Sequence, residues 1–333
     1  MDNYWEAFKK VSFRFYRLLT RLVLHIIDRL IELTILTALS VYYVAETVIL
    51  TFTPSFLRKL NSVRDKVVLI TGGAGGVGQE LAIRLARSNA KVVVWDMNEK
   101  AMENLKEKIE SEGHKLFIYK VDVSDKEDVY KAADSVKADL GPIDILINNA
   151  GIVCGQNLLD LPDYMIEKTY KVNVLSHYWT VKAFLPDMMR HKKGHIVTMG
   201  SLTGMLGTYK CTDYSASKHA TIGFHESLWV ELKTHGFDDI KMTLICPYLI
   251  NTGMFDGCKP KNINMLEPKD VAKRIILAIR REEVFVTIPG FLRFVLPLKN
   301  FIPAKLCWAV MYRVIKGPQS MMGMRNFKEV DAA

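Results

Sequence analysis

Seven short runs dominated by β-branched and other apolar residues recur through the middle of this chain: KVVLIT (66–71), KVVVWD (91–96), KLFIYKVD (115–122), IDILIN (143–148), HIVTMG (195–200), IKMTLIC (240–246) and VFVTI (284–288). Amphipathic stretches of helical periodicity separate them. Runs that stay apolar instead of alternating with polar residues suit strands covered on both faces, and strands joined through helices run parallel. The pattern predicts an α/β fold, a doubly wound seven-stranded parallel sheet. A content of 49% hydrophobic and 24% charged residues is enough for a large core and excludes disordered, collagen-like and disulfide-scaffold chains.

Charge separates the ends from the middle. Residues 1–66 carry 10 basic and 6 acidic side chains, residues 284–333 carry 7 and 2, and the span between carries 28 of each. The excess of +9 therefore sits at the termini, which argues against a nucleic-acid groove in the main domain and toward membrane. Between Leu33 and Thr53 a stretch with Glu46 as its single charge is ~31 Å long as a helix, enough for a bilayer core. Before it, over 13–31, Arg14, Arg17, Arg21, Asp28 and Arg29 alternate with Leu18, Leu22, Ile26 and Leu30 in the manner of a helix lying on headgroups. Residues 1–60 are accordingly expected to be a retained membrane anchor, with a buried core helix or a dimer contact as the alternative for 33–53. Residues 291–333 read as an apolar, basic segment ending in a polar, mobile tail from 317 onward. The five cysteines show no CxxC or Cys/His spacing, so neither a disulfide framework nor a metal site is expected.

Directly after the first run comes TGGAGGVGQELAIRLA. Gly72, Gly76 and Gly78 permit a tight turn that presents backbone N–H groups and a helix N-terminus to a pyrophosphate. Asp96 ends the second run, 18 residues past Gly78, where a carboxylate can accept from the adenosine ribose and repel a 2′-phosphate. The reading favours NAD over NADP.

A Tyr-x-x-x-Lys spacing puts both side chains on one helical face. It occurs four times, at Tyr164/Lys168, Tyr178/Lys182, Tyr214/Lys218 and Tyr312/Lys316. Only Tyr214 follows a serine by thirteen residues, Ser201, which stands just after HIVTMG at the carboxyl end of a strand, where open α/β sheets bind ligands.

The combination of TGGAGGVG, NNAG (148–151), Asn173, Ser201 and YSASK (214–218) resembles the short-chain dehydrogenase/reductase superfamily over roughly residues 64–290. The apolar N-terminus, the FHESLWVEL helix and the CPYLINTGMF loop resemble its membrane-associated branch, which contains epidermal retinol dehydrogenase 2 and the 17-beta-hydroxysteroid dehydrogenases types 11 and 13. The resemblance implies a Rossmann fold and a catalytic set. Tyr214 would be the general base, its pKa lowered by Lys218 and the nicotinamide, Ser201 would hold the substrate oxygen, and Asn173 would position a relay water. Cofactor contacts are implied for Gly72, Gly76, Val77, Gly78, Asp96, Asp122, Val123, Asn149, Gly151, Tyr214, Lys218 and Thr252, and a homodimer is the family default. Tyr248 stands after Pro247 where many relatives have glycine.

The expected activity is oxidation of a lipophilic alcohol (retinol, a sterol or a long-chain fatty alcohol) with NAD, at the endoplasmic reticulum membrane or a lipid droplet, with the catalytic domain facing the cytosol. Two alternatives stay open: a carbonyl reductase of retinal or a ketosteroid, and a non-catalytic surface protein of the reticulum or lipid droplet.

Overall fold

The computed structural model describes residues 2–53 and 60–325 of the 333. The chain divides into two compact units, residues 1–59 and 60–333.

Among its described residues the first unit forms one helix, α1 (Asp2–Phe52), where the sequence reading had two segments with separate roles. The reason lies in composition: no glycine or proline occurs before Pro54, so nothing interrupts the hydrogen-bond ladder. Its 51 residues extend about 77 Å. Every described side chain from Tyr4 to Glu46 is exposed, Leu18, Leu22, Ile26 and Leu36 included. Thr34, Thr37 and Ser40 turn their hydroxyls back to the carbonyls four residues earlier, at 2.7–2.8 Å, which hides their polarity within the apolar half. Among the described residues no helix is long and apolar enough to cross a membrane. The span expected over 33–53 runs on into side chains outside the described residues.

The second unit holds the sheet, in the order β3-β2-β1-β4-β5-β6-β7, with every neighbouring pair parallel. Its strands are β1 (Val67–Thr71), β2 (Lys91–Asp96), β3 (Leu116–Lys120), β4 (Ile145–Asn148), β5 (Gly194–Met199), β6 (Ile240–Pro247) and β7 (Phe285–Ile288). All seven lie within or one residue beside the runs read from sequence. Successive residues of β1 point to opposite faces and all are buried. Val68 and Ile70 meet α2 (Gly76–Arg87), α3 (Glu99–Ser111) and α8 (Pro268–Arg281), through Leu81, Leu105 and Ile275 among others. Val67 and Leu69 meet the other layer, α4 (Lys126–Leu140), α6 (Ser176–Arg190) and α7 (Thr212–Thr234), through Val129, Phe184 and Leu228. The remaining helices are α5 (Asp163–Tyr170), α9 (Leu292–Val295), α10 (Ala304–Arg313) and α11 (Gly317–Met321).

Strand order reverses between β1 and β4, and an open sheet has its ligand crevice there, beyond the carboxyl ends of the strands. The glycine turn after β1 and the NNAG segment after β4 flank this point.

Three buried histidines make the core acid-sensitive. Burial pushes His177 and His195 down to about 3 and His225 down to about 4. His195 pairs its Nε2 with the Thr243 hydroxyl at 2.8 Å, and His225 pairs its Nδ1 with that of Thr198 at 2.9 Å. Unfolded, each would titrate near ~6.5, so the unfolded chain binds more protons below that pH. Their stabilising contribution is fully present above about pH 6.5 and is lost as pH falls toward 4 and then 3. Near pH 5 the three together give a slope of about 4 kcal/mol per pH unit. Urea unfolding across pH 4.5–7.5 checks this; a slope under about 1 kcal/mol per unit would mean that the histidines ionise inside the fold.

Candidate active site

The glycine turn is set by close approach. A Cβ on Gly78 would lie 2.2 Å from the Gly72 carbonyl oxygen and 2.8 Å from the Gly73 Cα, both backbone atoms. Only glycine lets α2 begin so close to the end of β1. At Gly76, φ is +53°, and a Cβ would meet the Thr252 side chain at 3.1 Å, so the loop after β6 closes against this turn. Gly75 precedes α2 without a side-chain cap, and a Cβ there would meet nothing within 4 Å. The first-turn N–H groups of a twelve-residue helix thus face an open approach.

Asp96 fixes the outer edge of the turn. Its carboxylate accepts from Ala74 N–H at 3.0 Å and from Asn98 N–H at 3.1 Å, and each oxygen keeps capacity for another donor. Asp122 lies past the end of β3 on the same edge and accepts from Ser124 N–H and its hydroxyl at 2.9 and 2.7 Å. Val123 beside it is buried. Asn149, for which the resemblance implies a place along the cofactor path, braces the turn: its Nδ2 donates to the carbonyls of Thr71 and Gly72 at 3.0 and 2.9 Å. The Thr71 hydroxyl accepts in turn from Asn149 N–H and Ala150 N–H, stapling β1 to β4 across the crevice. Glycine positions, helix N-terminus, Thr252 and Asp96 together fit a dinucleotide.

Next to this cradle the four expected catalytic residues come together. Burial separates Tyr214, 5% exposed, from Tyr164, Tyr178 and Tyr312, which are 56, 42 and 60% exposed. Lys218, one turn further along α7, donates from Nζ to the Met199 carbonyl at 2.8 Å and lies 5.7 Å from the centre of the Tyr214 ring. Ser201 stands between β5 and a short 3₁₀ turn, Leu202–Gly204, and its Oγ accepts from Thr203 N–H and the Thr203 hydroxyl at 3.1 and 2.9 Å.

Asn173 lies in a π-helical turn, Lys171–Leu175, that joins α5 to α6. Such a turn widens a helix by one residue and is frequent at functional sites. The Asn173 side chain donates to the Ile152 carbonyl and the Ser217 hydroxyl and accepts from Ile152 N–H, all at 2.9–3.1 Å. It ties the NNAG segment to α7. A Cβ on Gly151 would lie 3.3 Å from Asn173 Oδ1 and 3.6 Å from Lys218 Nζ, so the three meet at one point.

The electrostatics depart from the sequence reading. Burial raises the Tyr214 phenol above its ordinary value, with the Ser201 hydroxyl working the other way, and pushes the Lys218 ammonium down to about 8. Burial is the largest cause for both side chains and Lys218 is not among the groups acting on the phenol, so the lowering implied by the resemblance would have to come with the charge of a bound nicotinamide. The thiols of Cys211 and Cys246, pushed up to about 12 by burial, are packing groups and not nucleophiles.

Sequence reasoning missed Thr71, Thr203 and Ser217, which hold the named residues in place. Thr71 opens the glycine motif and Ser217 sits inside YSASK, so both were visible without their partners being so. It also missed the C-terminus: residues 317–325, expected as a mobile polar tail, are packed, with Ser320, Met321 and Met324 buried, while 326–333 lie outside the described residues.

Comparison with known proteins matches residues 66–262 to the family model described as short chain dehydrogenase. Human epidermal retinol dehydrogenase 2 is 40% identical over 278 residues, 82% of this chain and 89% of that protein. Human estradiol 17-beta-dehydrogenase 11 is 36% identical over 286 residues, 86% of this chain and 94% of that protein. Among solved structures, a short chain dehydrogenase/reductase from Burkholderia phymatum in complex with NAD superposes with a TM-score of 0.66 at 26% identity, over 72% of this chain and 94% of that one. A metagenomic short-chain oxidoreductase in complex with NADP gives 0.58 at 25% identity, over 68% and 96%.

Proposed function

Because the chain belongs to the short-chain dehydrogenase family, we propose that it oxidises a lipophilic alcohol, a retinoid, sterol or long-chain fatty alcohol, with NAD as hydride acceptor. The observation that carries this is the convergence of Tyr214, Lys218, Ser201 and Asn173, all buried, at the mouth of a glycine cradle suited to a dinucleotide. The relatives named above, a retinol and an estradiol dehydrogenase, support the substrate class.

A bound nicotinamide dinucleotide would supply the hydride acceptor and a positive charge. The residues do the rest. Tyr214 takes the hydroxyl proton, and Ser201 holds the alcohol oxygen, with Thr203 fixing the serine rotamer. Lys218, anchored on the Met199 carbonyl, is one helical turn from the base and can hold the cofactor ribose. Asn173 keeps the NNAG segment against α7 so that these groups stay in register. One observation favours a second direction: the raised phenol pKa suits a proton donor, and the same residues run in reverse reduce a carbonyl.

The membrane setting rests on two apolar surfaces, each considered by itself. One is α1, with its exposed leucines and isoleucines. The other is the stretch from Phe291 to Lys316, with five cations and no acidic residue, where Phe294, Phe301, Trp308 and Tyr312 are exposed. Large apolar side chains interleaved with cations alone suit an anionic lipid surface. A catalytic domain in the cytosol, at reticulum membrane or lipid droplet, and a homodimer complete the proposal.

The NAD preference is tested at Asp96. Asp96→Ala removes the charge facing a 2′-phosphate and is expected to lower the ratio of NAD to NADP affinity about tenfold or more. Fluorescence titration with both dinucleotides reads it; an unchanged ratio assigns the preference elsewhere.

A further inference from the structure

We propose that the C-terminal segment Gly317–Arg325 is the substrate-side wall of the active site, and that Met324 and Met321 set which lipophilic alcohols reach Tyr214. This rests on the dehydrogenase reading above and adds the residues that select its substrate. Met321 and Met324 are 1% and 4% exposed, while Met322 between them is 59% exposed, so two of the three methionines are turned inward. They join the apolar cluster that contains Tyr214 itself, with Val153, Cys211 and Phe255. Phe255 stands edge-on to the Tyr214 ring at 5.9 Å. Met324 covers Gly155, where a Cβ would come within 2.7 Å of its Cε, and Gly155 lies on the segment leading out from β4 and the NNAG turn. Met321 meets Cys258 sulfur to sulfur at 3.6 Å.

The segment is fastened at both ends to the loops that flank the tyrosine. On the loop entering α7, Lys210 Nζ donates to the Met322 and Met324 carbonyls, both at 3.3 Å. On the loop after β6, Lys259 N–H donates to the Ser320 carbonyl at 2.8 Å and Arg325 N–H to the Asp256 carbonyl at 2.9 Å. The Arg325 guanidinium also pairs with the Asp256 carboxylate at 3.0 Å. Backbone meets backbone between them: a Cβ on Gly257 would lie 2.0 Å from the Gly323 carbonyl oxygen. The polar anchors all lie at the margin, and the inner side is thioether, thiol and aromatic ring. A substrate whose hydroxyl is held by Tyr214 and Ser201 would rest its apolar body on this lining. Methionine, unbranched and polarisable, adapts to long or polyene chains better than a branched side chain does.

The test uses the full chain and two alcohols, cyclohexanol and a long-chain primary alcohol such as dodecanol, with NAD. Met324→Ala and Met324→Phe are expected to move the ratio of the two kcat/KM values in opposite directions, each by about tenfold, the scale of small volume changes in an apolar pocket. NAD affinity stays unchanged. Lys210→Gln, which loosens the anchor without touching the lining, is expected to raise KM for the long alcohol more than for the small one, with kcat preserved. Equal effects on both alcohols, or a lowered melting temperature with the ratio unmoved, would make the segment a fastening only and overturn the inference. If the Met324 variants fail to fold, the KM split in Lys210→Gln decides alone. A wild-type protein that oxidises neither of these alcohols, nor retinol, nor a 17β-hydroxysteroid, and reduces none of the corresponding carbonyls would instead overturn the dehydrogenase reading, and the wall with it.

Discussion

Tyr214→Phe is expected to lower turnover by about 10²–10⁴-fold, the range over which a positioned acid–base group acts, while leaving the fold intact and changing dinucleotide affinity far less than turnover. The substitution keeps the ring, its edge-on contact with Phe255 and its burial among Cys211, Leu249 and Val153. It removes only the phenolic oxygen beside Ser201. Stability should hold or rise slightly, because a buried hydroxyl with one neighbour contributes little and its loss strands no strong donor. Turnover and NAD binding measured on the same preparation separate the two effects. Residual turnover above about a tenth of wild type would exclude Tyr214 as the group that moves the proton.

Gly78→Ala is expected to be the most damaging change in the cofactor cradle. Its added methyl would lie 2.2 Å from the Gly72 carbonyl oxygen, and that neighbour is backbone at the end of β1, unable to swing aside. Either α2 shifts or the turn opens, at a cost of about 1–3 kcal/mol or more in stability. The displaced N–H groups should weaken dinucleotide binding by about 10²-fold, as a misplacement near 1 Å does. Gly75→Ala is the matched comparison, since a Cβ there meets nothing and the melting temperature should not change. Equal melting temperatures and equal NAD affinity for the Gly78 and Gly75 variants would show that close approach does not shape this turn.

Local pattern made much of this molecule legible. The β-branched runs marked all seven strands because strands buried on both faces carry no polar alternation to obscure them, and Gly72, Gly76 and Gly78 followed the first of them directly. Tyr214 was singled out among four equal spacings by Ser201 alone, and its burial distinguishes it from the other three. What stayed hidden depends on contacts between distant segments. That Asn149 would brace Thr71 and Gly72, or that Lys218 would reach the Met199 carbonyl, follows from the crossing of β1, β4 and β5 and from no spacing along the chain. The environment of Tyr214 was half visible for the same reason: a lysine one turn away can be read in sequence, and the loss of water around both groups cannot. The segment around Met321 and Met324 looked like a tail because its anchors, Lys210, Asp256 and Lys259, lie more than sixty residues upstream. At the other end, α1 was divided into two roles by its composition, although its backbone had no reason to break.

The most direct test of the central claim is reduction of NAD and of NADP by the intact, membrane-reconstituted protein, offered retinol, dodecanol and a 17β-hydroxysteroid in turn, with Tyr214→Phe alongside. The account predicts NADH formation with at least one of these alcohols, a weaker rate with NADP, and loss of both in the variant. Dinucleotide binding without turnover of any of the three alcohols, or of the corresponding carbonyls in reverse, would contradict it.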